Sequence, residues 1–197
     1  MGPMTGFDAG TACLELLLTG GEDARAGWEV LHQPSDLVTF IAAGRLDPIG
    51  HGVTPAEVEV TDADLADARR LRAAVRSAAM GAATGGGPGP ASLAVVNTLA
   101  AAPGVTPQVD PATARLIWRP PVTAAQLVAE LARDAVTTFS APTVDRVRKC
   151  ADPHCALLYL DTSRPGRRRW CSMRRCGNRS KIYEYRQRHP VGTEMSS

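Results

Sequence analysis

Four cysteines dictate most of what the C-terminal part of this chain can become. Cys150, Cys155, Cys171 and Cys176 stand in the pattern C-x4-C-x15-C-x4-C, while Cys13 lies far upstream. Each close pair can occupy one edge of a tetrahedral metal site, and the span between the pairs is long enough to return as a hairpin. Four soft thiolates without a flanking iron–sulfur signature select zinc. All coordination positions are then filled, so the expected centre is one structural Zn2+ with no room for a catalytic water. The competing reading, ordinary buried or redox-active cysteines, is the weaker one because clustered cysteines in a reducing compartment more often bind metal. His154, beside Cys155, would find the shell complete. Cys13 reads as a core residue among Leu14, Leu16 and Leu17.

The residues between the cysteines suit a small fold around that metal. Ala156 to Leu160 is strand-like, Arg164-Pro165-Gly166 is a turn, and Arg167 to Cys171 can return antiparallel. Cys176 then sits just inside a helix running to about His189, stopped by Pro190. Knuckle, hairpin and helix make a treble-clef-like finger, with the last thiolate favoured by the helix N-terminus. A unit of ~50 residues is marginal alone, and structural zinc can supply an apparent ~10–16 kcal/mol.

Charge divides at the same point. Net charge is +2, yet Val144 to Ser197 holds 13 Lys and Arg against 5 Asp and Glu, and Met1 to Thr143 holds 9 against 15. A basic segment following an acidic one suggests two jobs, with a polyanion as partner of the basic part. Winding Arg174 to His189 at 100° per residue sets Arg174, Arg175, Asn178, Arg179, Lys181, Ile182, Tyr185, Arg186, Arg188 and His189 on one half of the helix. Cys176, Gly177, Ser180, Tyr183, Glu184 and Gln187 take the other half, which is predicted inward because Cys176 must face the metal. The candidate DNA contacts are therefore Arg167, Arg168, Arg169, Arg174, Arg175, Asn178, Arg179, Lys181, Tyr185, Arg186 and Arg188. A solvated helix, or one docked on the acidic N-terminal part, is the bland alternative, and Arg179 could instead pack near the metal. Trp170 serves either as a cover for the zinc or as a stacking surface.

Upstream, hydrophobic periodicity predicts helices. Ser35 is placed as the N-cap of a helix over 36–43 with Leu37, Phe40 and Ile41 on one face, and Thr61 with Asp64 opens a long helix to about Ala83. Leu65, Ala68, Leu71, Val75 and Ala79 are its inward positions. Gly85 to Pro90 is a loop, and a third helix spans Pro90 to Ala102. Residues 105–109 and 114–118 flank Asp110-Pro111 as a hairpin. Thr123 caps a helix over 124–139 with Leu127, Leu131, Ala135 and Val136 inward, and the boundary falls at Ser140-Ala141-Pro142-Thr143. The fold class is mainly α with a small β-hairpin (α+β): a helical domain, 1–143, and a zinc finger, 144–197.

Apolar residues, at 44%, suffice for a core, but no run approaches the ~20 needed to span a membrane. The start, Met1-Gly2-Pro3-Met4-Thr5-Gly6, carries no secretory pattern, so a cytoplasmic protein is expected. No Ser/His/Asp arrangement, phosphate-cradling glycine loop or open metal site is visible, and His32 and His51 fall in loops without recognisable partners; the chain reads as a non-enzyme.

Three stretches carry a resemblance. Asp161-Thr162-Ser163-Arg164, Arg168-Arg169-Trp170-Cys171-Ser172-Met173 and Cys176-Gly177-Asn178-Arg179-Ser180-Lys181 resemble the CGNR zinc finger of bacterial transcription regulators, nearly without gaps from Val147 to Arg188. In that family the finger follows an ABATE domain, described as stress-related; Asp36 to Leu46, Leu71-Arg72 and Gln126 to Phe139 are similar to it here. The family's opening Leu-Asp-Phe-x-Asn-Thr is altered to Leu14-Glu15-Leu16-Leu17-Leu18-Thr19, with Glu15 for the Asp and Leu18 for the Asn. The resemblance implies a transcription regulator that reads duplex DNA through its finger, with an N-terminal domain that senses a small-molecule ligand or forms a homodimer. An RNA- or protein-interaction module stabilised by zinc is the alternative.

Overall fold

The computed structural model of the protein describes residues 7–21, 26–46 and 53–189. His51 and the opening hexapeptide lie outside that range. A short helix α1 (Ala12–Glu15) runs into a 3-10 turn (Leu16–Thr19), followed by α2 (Pro34–Ala43), strand β1 (Val58–Glu59) and the long α3 (Asp62–Ala83). Then come α4 (Pro90–Ala100), β2 (Pro107–Val109), β3 (Leu116–Trp118), β4 (Val122–Thr123) and α5 (Ala124–Phe139). The C-terminal part holds β5 (Val147–Lys149), β6 (Leu158–Leu160), a π-turn (Met173–Gly177) and α6 (Asn178–Arg188).

Capping chemistry starts the two principal helices. The Thr61 hydroxyl accepts from Asp64 N at 3.3 Å while the Asp64 carboxylate accepts from Thr61 N at 2.8 Å. Thr123 and Gln126 repeat the exchange at α5, at 3.3 and 3.0 Å. Helices α3, α4 and α5 pack on one another, with α1 wedged against α3 and α5. Leu14, Leu16, Leu71, Val75, Val96 and Leu131 fill the centre, each worth roughly 1.5–3 kcal/mol on burial. The inward set expected for α3 is buried throughout.

Several local expectations need correction. Helix α2 begins at Pro34, so Ser35 is not its cap; the Asp36 carboxylate accepts from the backbone N–H of His32 at 2.8 Å and of Gln33 at 2.9 Å instead. Helix α4 stops at Ala100 rather than Ala102. In α5, Val136 is 38% exposed and Val128 is buried in its stead, because on the helical circumference Val128 lies nearer the centre of the face that Leu131 and Ala135 define. The hairpin β2–β3 forms about Asp110, narrowed to three pairs, Pro107↔Trp118 to Val109↔Leu116. The parallel pair β1–β4 is too short to leave a pattern in the sequence.

The C-terminal hairpin has a different partner from the one expected. Strand β6 pairs antiparallel with β5, upstream, in the register Val147↔Leu160 to Lys149↔Leu158. Residues 167–171 form no strand; they approach by single hydrogen bonds such as Ala151 N to Arg169 O at 2.9 Å. This hairpin also lies on the helices. Val147 and Leu158 belong to the same buried core as α3 and α5, and Leu160 N donates to Ala9 O at 2.8 Å. Gly10, at φ +86°, lets the chain pass there, since a Cβ would stand 2.6 Å from Leu160 O.

Candidate metal centre and nucleic-acid interface

The first cysteine pair sits in the turn between β5 and β6. Cys150 N donates to Leu157 O at 2.9 Å, Cys155 N to Asp152 O at 2.9 Å, and His154 N to the Asp152 carboxylate at 2.9 Å, which tightens the knuckle. The π-turn then delivers Cys176, with Gly177 N donating five residues back to Ser172 O at 3.0 Å. All four sulfurs lie within 4.8 Å of one another. Cys155 Sγ to Cys171 Sγ is 3.7 Å and Cys171 Sγ to Cys176 Sγ is 3.6 Å; a tetrahedron with Zn–S bonds of about 2.3 Å has edges of about 3.8 Å. The donor set and its spacing fit one structural zinc, and Cys150, Cys155, Cys171 and Cys176 would hold it.

The thiols show why a dication belongs there. A hydrogen bond from Cys171 holds the Cys155 thiol down to about 5. The same contact, with burial and neighbouring sulfur charge, pushes Cys171 far up, and burial raises Cys176 to about 12. Crowded sulfurs cannot all ionise unless a metal compensates the charge. Cys171 N points at Cys150 Sγ at 3.5 Å and an Arg179 Nη2–H at Cys176 Sγ at 3.6 Å, donors that favour thiolate. His154 is exposed and outside the sulfur cluster. Trp170 is half-buried against the cysteines, with the Arg169 guanidinium 4.8 Å over its ring, so its side chain covers the centre. Cys13 is fully buried, as expected, but its sulfur meets the hydroxyls of Thr11 at 3.3 Å and Thr138 at 3.5 Å, and burial pushes its thiol well up.

Two of the candidate cations are tied to the finger itself, Arg168 largely buried and Arg179 still half exposed. Arg179 Nε donates to Asp152 Oδ2 at 2.6 Å, tying α6 to the first knuckle. Burial alone would raise the Asp152 carboxyl, but the Arg179 and His154 donors outweigh it and hold it below its usual range. Arg168 donates to Trp170 O at 2.9 Å, Asp8 O at 2.9 Å and Cys171 O, and lies 4.6 Å over the ring of buried Tyr159. The Tyr159 hydroxyl donates to Arg168 O at 2.6 Å and burial pushes it up to about 12. Arg175 stacks 4.4 Å over Phe7 and faces the helical part.

The remaining candidates are at the surface. Arg167, Arg169, Arg174, Asn178, Lys181, Tyr185 and Arg188 are exposed; nothing is described for the Arg186 side chain. Nothing is described for the Glu184 side chain either; among the described side chains no carboxylate pairs with Arg167, Arg174 or Lys181. The predicted inner half does not persist along α6: Tyr183 is 62% exposed and Gln187 is exposed, as are Ile182 and Tyr185. Only the first turn is anchored, because the finger's buried cluster ends at Cys176. The helix projects.

The sequence pattern gave no individual role to Asp152, Tyr159 or Asp161, although Asp161 stands in the family-like stretch. Asp161 is fully buried and accepts from Ser163 N at 3.0 Å, Ser163 Oγ at 2.6 Å and Arg168 N at 2.9 Å, closing the turn after β6. An Asp two residues before a Ser at a strand end was the available signal.

A closed four-cysteine centre on a β-hairpin and projecting helix, packed against a helical bundle, defines a zinc-finger protein. Residues 146–189 match the CGNR zinc finger, and residues 10–142 match ABATE, described as "Putative stress-induced transcription regulator". The chain belongs to that family. No curated protein matches it in sequence. Among the described residues, no helix is long and apolar enough to cross a membrane.

Proposed function

We propose that the protein is a non-enzymatic, cytoplasmic transcription regulator that binds duplex DNA through α6. The observation carrying this reading is a projecting helix whose exposed side chains include Asn178, Lys181, Tyr185 and Arg188, with Arg174 exposed in the π-turn that leads into it, Arg167 exposed elsewhere in the finger, and no carboxylate among the described side chains paired with Arg167, Arg174 or Lys181. B-DNA's major groove admits one α-helix, and a helix free on most of its circumference can enter without displacing other structure. Arg167, Arg174, Lys181 and Arg188 would meet phosphates, while Asn178 and Tyr185 supply hydrogen-bonding groups near base edges. One finger has a small footprint, so a pair of copies on a two-fold site would supply the affinity.

A salt titration of the zinc-loaded chain on duplex DNA tests this. About four phosphate contacts give a slope of log K against log[salt] near −4. A slope near zero sinks the proposal, and tighter binding to structured RNA in competition would shift the target to RNA.

A further inference from the structure

A cavity of about 710 Å3 lies along the seam between the helical part and the finger, within the size range of small-molecule sites. Leu18, Trp28 and Val30 form one wall, Phe7 lies at the seam, and Leu157 and Arg175 face them from the finger. Trp28 and Val30 are 47% and 39% exposed, a large apolar surface that nothing among the described residues covers. The charged groups around it are not equally available. Both Glu29 oxygens are taken by the Arg72 guanidinium, at 2.8 and 2.5 Å, and Asp36 is occupied in capping α2. Arg179 is neutralised by Asp152. Arg175 touches only the Phe7 ring face among the described residues. Cys155 and Cys176 also line the cavity, their thiolates committed to the metal, as do His32 and His154; the carboxylates are satisfied, and Arg175 is the guanidinium without a carboxylate partner among the described side chains.

We infer that this seam binds a small aromatic anion, its rings between Trp28 and the Leu18–Leu157 wall and its acidic group on Arg175. A planar body matches the aromatic and branched lining, and a guanidinium stacked on a ring still presents its N–H edge to a carboxylate or sulfonate. Such a ligand touches both parts of the molecule at once, so it holds the finger against the helices. This stands apart from what α6 contacts.

The test uses the full-length, zinc-loaded protein and two fluorescent probes that differ by one charge: 1-anilinonaphthalene-8-sulfonate and neutral N-phenyl-1-naphthylamine. The expected result is saturable binding of both at one per chain. Arg175→Gln should weaken the sulfonate about tenfold and the neutral probe less than twofold. Gly27→Trp, at an exposed position where a Cβ meets nothing within 4 Å, should block both, as should Ala156→Trp on the opposite rim. Zinc at one per chain together with an unchanged thermal midpoint certifies each variant as folded. Non-saturable binding, binding that survives both blocking variants, or equal loss of both probes in Arg175→Gln overturns the inference.

Discussion

The helical part and the finger bury their chains by different means. In the bundle, α3, α4 and α5 hold one another through Leu, Val and Ala at three- and four-residue steps, started by reciprocal caps at Thr61 and Thr123. The finger's own buried cluster is Cys150, Leu157, Tyr159, Cys171 and Cys176, with Phe7, Leu18, Cys155 and Trp170 packed against it, two of those four drawn from the N-terminal part. Its strands place Val147 and Leu158 in the bundle's core rather than its own. The finger is thus held by metal at one end and by borrowed apolar surface at the other, which is how a segment too small for its own core stays ordered.

The largest effect should come from the metal. Cys176→Ala or stripping by chelator removes a contribution of apparent magnitude ~10–16 kcal/mol at neutral pH. An autonomous finger would unfold without affecting the helices; the shared core predicts that α3 and α5 keep their helicity by circular dichroism but melt at a lower temperature. An unchanged bundle Tm would show that the two parts are independent. Next, Leu158→Ala leaves a cavity where finger and bundle meet and should cost about 2–5 kcal/mol. Denaturant unfolding should show that loss in the bundle transition, with zinc content retained.

Asp161→Asn comes third. The new amide can still accept from Ser163, but its NH2 faces the Arg168 N–H, a donor against a donor, for a loss of about 1–3 kcal/mol. Burial would raise this carboxyl, yet the Ser163 and Arg168 donors prevail and hold it below its ordinary range. A depressed folded value means the stabilisation is present above the unfolded value of about 3.9 and is lost as pH falls through the folded one. Wild type and variant should differ most near pH 7 and converge in acid; a constant difference would remove the carboxylate's charge from the account. The smallest stability effect belongs to Arg174→Ala with Lys181→Ala, within about 0.5 kcal/mol for exposed positions. DNA affinity should fall and the salt slope flatten by about two. Arg179→Ala, by contrast, should lose both zinc retention and affinity.

The site was more legible than its setting. Cys150, Cys155, Cys171 and Cys176 are short-range information: tetrahedral thiolate geometry demands close pairs, and the pairs are visible as spacing. Capping at Thr61 and Thr123 is equally local, a hydroxyl and an acceptor three residues apart. The partner of β6 was not legible, because two antiparallel strands of three residues leave no signature choosing residues 147–149 over 167–171. The tie between Arg179 and Asp152 was hidden for a similar reason. Helical projection assigns an angle, whereas the direction of a long flexible guanidinium depends on an acceptor such as Asp152, buried 27 residues away.

The amino-acid order by itself determined a zinc-binding quartet, the helices around a common apolar stripe, and a basic tail on an acidic body, since each depends on residue type and nearby spacing alone. Only the tertiary structure decided that finger and bundle share a core, that α6 projects beyond its first turn, and which arginines remain available to a partner. Those outcomes depend on surfaces meeting across more than a hundred residues, where packing and the competition for hydrogen-bond acceptors have no counterpart in the linear pattern.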